Sequence, residues 1–190
     1  MKKQVRHLSD KEALQLHQEA LVIDSKQPPA TSGFVFTERM KLDLLDMDKA
    51  GFTRAQASNQ LAKIAAEEIR NSESAREQYL SLWHRSGVSV ASGTYSAGIP
   101  IEKAFQSATE GIAQARSYID ALQGELQLVL KAEDIETVYN SGKHGLIIDF
   151  QDTLPFGTDL SKIDYFYNLG LRVVQLTYNL RNLVGDGCTE

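Results

Sequence analysis

The spacing of apolar and polar positions divides the chain into alternating strands and helices. Ala20-Leu21-Val22-Ile23-Asp24 is a short apolar run, and Leu146-Ile147-Ile148 is another. Runs of this kind suit strands buried on both faces. Gly87 to Gly93, Leu126 to Leu130 and Arg172 to Thr177 read as further strands. Between them the period lengthens to that of a helix. Phe105, Ala108, Ile112, Ala115, Ile119 and Leu122 mark one face of a helix predicted over Ile101 to Leu122. Ala132 to Asn140 and Ser161 to Leu169 are shorter helices, and Gly170 can close the second in the left-handed conformation.

Three capping boxes announce helix starts, each pairing a hydroxyl with a longer polar side chain three residues on. Ser9 with Glu12 opens a short amphipathic helix that carries Ala13, Leu14, Leu16 and His17. Thr53 with Gln56 opens a helix that places Leu61, Ile64, Ala65 and Ile69 on one face. Ser74 with Glu77 precedes Tyr79, Leu80, Leu82 and Trp83. The segment from Ala30 to Arg85 is mostly helical and highly charged, so residues 33–85 read as a helical insertion after the first strand, covering one end of the sheet. It lies within a single domain over 1–190 that shows no internal repeat.

Strand, short helix and strand from Gly145 to Tyr178 form a βαβ unit, whose strands must be parallel. Polar groups gather where its strands end: Asp149, Gln151, Thr177, Tyr178 and Asn179. In parallel α/β folds those ends form the floor of the active site. Asp149 and Gln151 lie two apart and face the same way. They either build a ligand site or cap a loop and bond a neighbouring strand. Asp24 either turns to the same rim or serves backbone amides. Lys26 is expected to pair with Asp149 or Asp24, the alternative being a solvated loop lysine.

The remaining chemistry-bearing residues read as structural. His144 directly precedes a strand and so belongs at the end away from the rim. His7, His17 and His84 have no partner at ligand spacing, and Arg172, opening a strand, is expected to make a structural salt bridge. The chain has 190 residues, 42% of them hydrophobic, and a formal charge of -5, which describes one ordinary globular domain. No basic stripe is present, which argues against a nucleic-acid partner. Cys188 is the single cysteine, so no internal disulfide forms. Met1-Lys2-Lys3 is not followed by the apolar core of a signal peptide, and no run is long enough to cross a membrane. The expected localisation is cytoplasmic.

Several motifs, in order and at matching spacing, carry a family resemblance. They are Leu128-Val-Leu-Lys-Ala-Glu-Asp134-Ile, Gly142-Lys-His-Gly145-Leu-Ile-Ile-Asp-Phe-Gln151 and Tyr167-Asn-Leu-Gly170-Leu-Arg172. Leu176-Thr-Tyr-Asn179 and Gly185-Asp-Gly-Cys188-Thr-Glu follow, and Ala20 to Asp24 fits the first strand. Together they resemble the N-terminal half of the renal (membrane) dipeptidase family of zinc peptidases. The resemblance implies an α/β fold: a parallel (β/α) barrel of TIM type, present as roughly its N-terminal half. It also implies two zinc ions at the C-terminal mouth and hydrolysis of dipeptides or related amides. Two metals there acidify a shared water and polarise the scissile carbonyl, without a covalent intermediate.

Carried over residue by residue, the metal positions depart from that pattern. Where the resemblance implies a His-x-Asp pair after the first strand, the chain has Lys26-Gln27-Pro28. Gln151 stands where a bridging glutamate is implied, and Tyr178 where a substrate-handling histidine is implied. An ammonium has no lone pair for a metal and repels it, proline has no ligating side chain, and an amide brings no charge. The remaining candidates for a metal are Asp24, Asp149 and Gln151, and those for substrate are Tyr178, Asn179 and Lys26; no catalytic residue is assigned. Two functions follow as alternatives. One is a dipeptidase-like metallohydrolase with a degenerate metal site, zinc being its cofactor or lost. The other is a non-catalytic barrel that binds a small ligand or partner at the former metal site. A complete barrel of this type needs about 250 residues. The chain is therefore expected to be a fragment, or to join a second copy or a missing C-terminal half.

Overall fold

The computed structural model describes residues 7–26, 36–95 and 101–189. Helix α1 (Asp10–Glu19) leads into strand β1 (Ile23–Asp24). Three helices follow: α2 (Glu38–Lys49), α3 (Arg54–Asn71) and α4 (Glu73–Ser86). Then come β2 (Val90–Thr94), α5 (Ile101–Ala121), β3 (Leu126–Leu128) and α6 (Ala132–Asn140). Strand β4 (His144–Phe150), a 3-10 turn (Leu154–Phe156), α7 (Ser161–Leu169) and β5 (Leu171–Val174) complete the order.

Every strand pairing is parallel, in the order β1-β2-β4-β3, with β5 also on β4. Strand β2 runs beside β4 from Gly145 to Asp149. The other edge of β4 is shared: β3 pairs with His144 to Leu146, and β5 with Ile148 to Phe150. The sheet is open, with helices in its crossovers, as in the N-terminal part of a (β/α) barrel. Because the strands are parallel, Asp24, Thr94, Asp149 and Val174 all end at one rim. The β4–β5 register shifts between Ile148 and Asp149, so Arg172 is the extra residue of a bulge. Bulges re-aim a side chain and commonly sit beside functional sites.

Side chains of β4 sort by parity, as the pleat requires. Leu146, Ile148 and Phe150 enter the main core with α3, α4, α5 and α7, while Ile147 packs on the opposite face with Val90, Val129 and Val138. Phe166 of α7 is fully buried, 5.0 Å from Phe150 edge-on and 5.9 Å from Phe156, ring centre to ring centre. Gly170 ends α7 at φ 110°, a conformation that suits glycine, as predicted. Among the described residues Arg172 makes no ion pair at its strand start. Its guanidinium donates to the carbonyls of Leu130 at 2.7 Å and Tyr167 at 2.8 Å, and lies over the Tyr167 ring.

Several boundaries differ from those read off the sequence. The third capping box does not form: Ser72, which already ends α3, caps α4 by accepting from the Ala75 amide. The two helices share one junction residue, which leaves Ser74 inside the helix. The buried stripe of α5 is turned towards Ala104, Ala108, Ile112, Ala115, Tyr118 and Ala121, while Phe105 stays half exposed. Tyr118 draws the helix round by packing edge-on against Tyr79 at 4.9 Å, and small alanines allow the approach. Gly111 lets the same helix lie close to the residue that follows β2, since a β-carbon there would meet the Tyr95 carbonyl oxygen at 2.6 Å. Helix α1 buries none of its residues; His17 instead reaches the Ser86 carbonyl at 2.7 Å.

His144 opens β4 at the end away from the rim, buried, with Nδ1 3.0 Å from the Val88 carbonyl. Its Nε2 has no hydrogen-bond partner among the described residues, and the rings of Trp83 and His84 lie against it. Burial lowers its pKa below the usual imidazole value of 6.5, the Val88 bond opposing this and the His84 charge adding to it. The unfolded chain therefore binds a proton here before the folded chain does. Stability is full above about pH 6.5 and falls as pH drops through the lowered folded value. Urea midpoints measured from pH 7.5 to pH 5 should decline, and His144→Phe should flatten that decline. An unchanged slope in the variant would assign it elsewhere.

Candidate functional site

The polar rim is built by three adjacent strands. Strand β4 carries Asp149, whose side chain is fully buried. Strand β2 contributes Ser92 and Thr94, two residues apart and therefore on one face. The Ser92 hydroxyl donates to Asp149 Oδ2 at 2.7 Å, and the Thr94 hydroxyl donates to Oδ1 at 2.8 Å. Lys26, just past β1, brings its ammonium 2.6 Å from Asp149 Oδ1 and 3.2 Å from Thr94 Oγ1. The ammonium thus crosses above β2 to reach β4. Its own amide donates to Asp24 Oδ1 at 3.0 Å, which fixes the turn after β1.

Of the sequence-predicted residues, the structure joins Lys26 to both Asp149 and Asp24, by side chain and backbone respectively. Gln151 lies half-buried two residues past Asp149, beside the buried Asp152, which accepts from the Leu154 amide at 3.1 Å. Tyr178 and Asn179 are held by the chain that follows them. The Cys188 amide donates to the Tyr178 carbonyl at 2.8 Å, and the Cys188 thiol lies 3.1 Å from Asn179 Oδ1. Gln27 and Pro28 lie outside the described residues. Sequence reasoning missed Ser92 and Thr94: the strand read from the sequence stops at Gly93, one residue short of Thr94. The available signal was their two-residue spacing at a strand's end.

Tyr95 follows β2, and its amide donates to the Asp149 carbonyl. Its hydroxyl is buried without a hydrogen-bond partner among the described residues. Burial first, then the neighbouring Tyr79 and Asp149, push its pKa well above the usual phenol range, so it stays protonated. An apolar hollow of about 440 Å³ lies elsewhere, among Leu154, Phe156, Leu160, Leu171, Val174 and Leu183. Three of its polar lining side chains are already committed: Arg172 to carbonyls, and Thr153 and Asn182 to the Leu176 carbonyl.

The described residues at the rim do not by themselves fit a pair of zinc ions. Both oxygens of Asp149 already accept hydrogen bonds, one of them from a cation. Among the described residues no three His, Cys, Asp or Glu side chains group as a metal ion requires. No helix of the described residues is long and apolar enough to cross a membrane.

Comparison with known proteins gives the fold a family setting. The model of a family described as membrane dipeptidase (peptidase family M19) matches residues 11–190. No curated protein matches. Among solved structures, an amidohydrolase from Pseudomonas aeruginosa is similar at TM-score 0.56 and 22% identity, covering 93% of this chain and 39% of its own. A dipeptidase AC of the same peptidase family is similar at TM-score 0.51 and 15% identity, covering 82% and 42%. The probable dipeptidase PvdM from Pseudomonas aeruginosa gives TM-score 0.53 and 16% identity, covering 87% and 36%. At these identities the likeness is one of fold. The chain spans about two-fifths of the length of these structures.

Proposed function

Because the chain belongs to the membrane dipeptidase family of metallohydrolases, we propose that it keeps the family's barrel rim as a binding site for a small dipeptide-like ligand without hydrolysing it. The observation that carries this reading is the ammonium of Lys26 against Asp149 at 2.6 Å. By the family resemblance a metal-ligating imidazole belongs at Lys26. An ammonium offers a metal no lone pair and repels it. Gln151, where a bridging carboxylate is implied, supplies no charge to hold two dications together. Zinc in the family's manner would acidify a water and polarise a carbonyl. The donors here do not support that role.

What remains at the rim suits recognition of a zwitterion. Asp24 offers a negative group, Lys26 shares its ammonium between Asp149 and the solvent side where a ligand carboxylate would approach, and Tyr178 and Asn179 stand on the strand-end segment beyond β5. Family membership alone favours the competing reading, a hydrolase with an altered metal site. Calorimetric titration of the complete protein with a dipeptide panel, alongside hydrolysis assays with zinc or manganese added, separates the two. The proposed function expects saturable binding and no turnover. Turnover that rises with added metal would establish the hydrolase reading instead.

A further inference from the structure

The Asp149 carboxylate is fully buried, and a lone charge in such a place is strongly unfavourable unless it is paired and hydrogen-bonded. Two of its partners, Ser92 and Thr94, are neutral hydroxyls on β2. The charge itself is met only by Lys26 among the described residues' ion pairs. In the sheet order β1-β2-β4, that one contact joins the outer two of three neighbouring strands, with Thr94 of the middle strand bonded to both partners. The lysine comes in from the solvent side, its side chain 41% exposed.

We propose that the Lys26 ammonium is a tethered cation. It supplies from within the chain the positive charge that the rim of a metallohydrolase barrel draws from solution, and it fastens the ends of β1, β2 and β4 together. This rests on the reading that the rim holds no metal centre, and it adds a structural consequence. A rim neutralised by its own side chain keeps its geometry whatever the metal supply. Chelator therefore leaves its melting temperature unchanged.

The test removes the tether and offers a free cation in its place. In the complete protein, Lys26→Ala should lower Tm by roughly 5 °C, a moderate loss because water can enter the exposed position. Ethylammonium chloride, compared with sodium chloride at equal ionic strength, should recover part of that loss. Lys26→Met fills the space without charge and should stay low, with no recovery. Two results would overturn the inference: Lys26→Met melting with the wild type, which would make the role one of packing, or sodium rescuing Lys26→Ala as well as ethylammonium does. Metal-dependent turnover in the wild type would defeat the functional reading, whereas unchanged melting of both variants in a protein without turnover would defeat the tether alone.

Discussion

Truncating Phe166 to alanine is expected to remove about 3–5 kcal/mol of folding free energy and to lower Tm by roughly 10 °C. The size follows from position. Phe166 is fully buried, and its ring meets those of Phe105, Phe150, Phe156 and Tyr165, all with centres within 6 Å. Deleting it loses the transfer free energy of a whole aromatic side chain and leaves a cavity that Phe150 and Phe156, fixed on β4 and the 3-10 turn, cannot close. Phe166→Leu should recover about half of the loss, because it restores volume but not the edge-on contacts. Differential scanning calorimetry of both variants checks this. Equal melting of Phe166→Ala and the wild type would mean that α7 does not pack on β4 as described.

Asp149→Ala is the second large effect, about 3 kcal/mol by loss of charge-assisted hydrogen bonds and stranding of a buried donor. Removing the carboxylate frees Lys26, which is 41% exposed and finds water. Ser92 has no such exit: it is 4% exposed, and its hydroxyl loses the Asp149 acceptor. The stranded Ser92 hydroxyl therefore adds to the loss of the Lys26 contact. Pairing Asp149→Ala with Ser92→Ala should recover about 1 kcal/mol relative to the sum of the single changes, since the unpaired hydroxyl goes with its partner. Urea unfolding of the double-mutant cycle reads this coupling directly, and strict additivity would show that the two side chains act independently.

Local signals in the sequence predicted the helices well where one turn decides the matter. The Ser9–Glu12 and Thr53–Gln56 boxes form, and α6 and α7 keep their expected limits. Ser74 failed as a cap because an earlier serine, Ser72, met the chain first as it left α3. The α5 stripe is turned because the Tyr118 ring packs on Tyr79 in the core, a contact that the helix's own periodicity does not encode. Strand limits were the least legible: β1 pairs over two residues only, and β5 ends at Val174. Strand ends depend on the neighbouring strand's register, which no single segment encodes. The same limit hid Ser92 and Thr94, whose importance appears only when Thr94 is set opposite Asp149. Lys26 and Asp149 are 123 positions apart and meet through that same register.

An ammonium, that of Lys26, stands where the family resemblance implies a metal ligand. The most direct measurement is metal analysis of the complete protein after purification in the presence of zinc, with the metal quantified per chain by mass spectrometry. Zinc is expected far below one ion per chain, with no gain in the wild type when zinc is added. Zinc bound at two ions per chain, and lost together with stability on chelation, would contradict it.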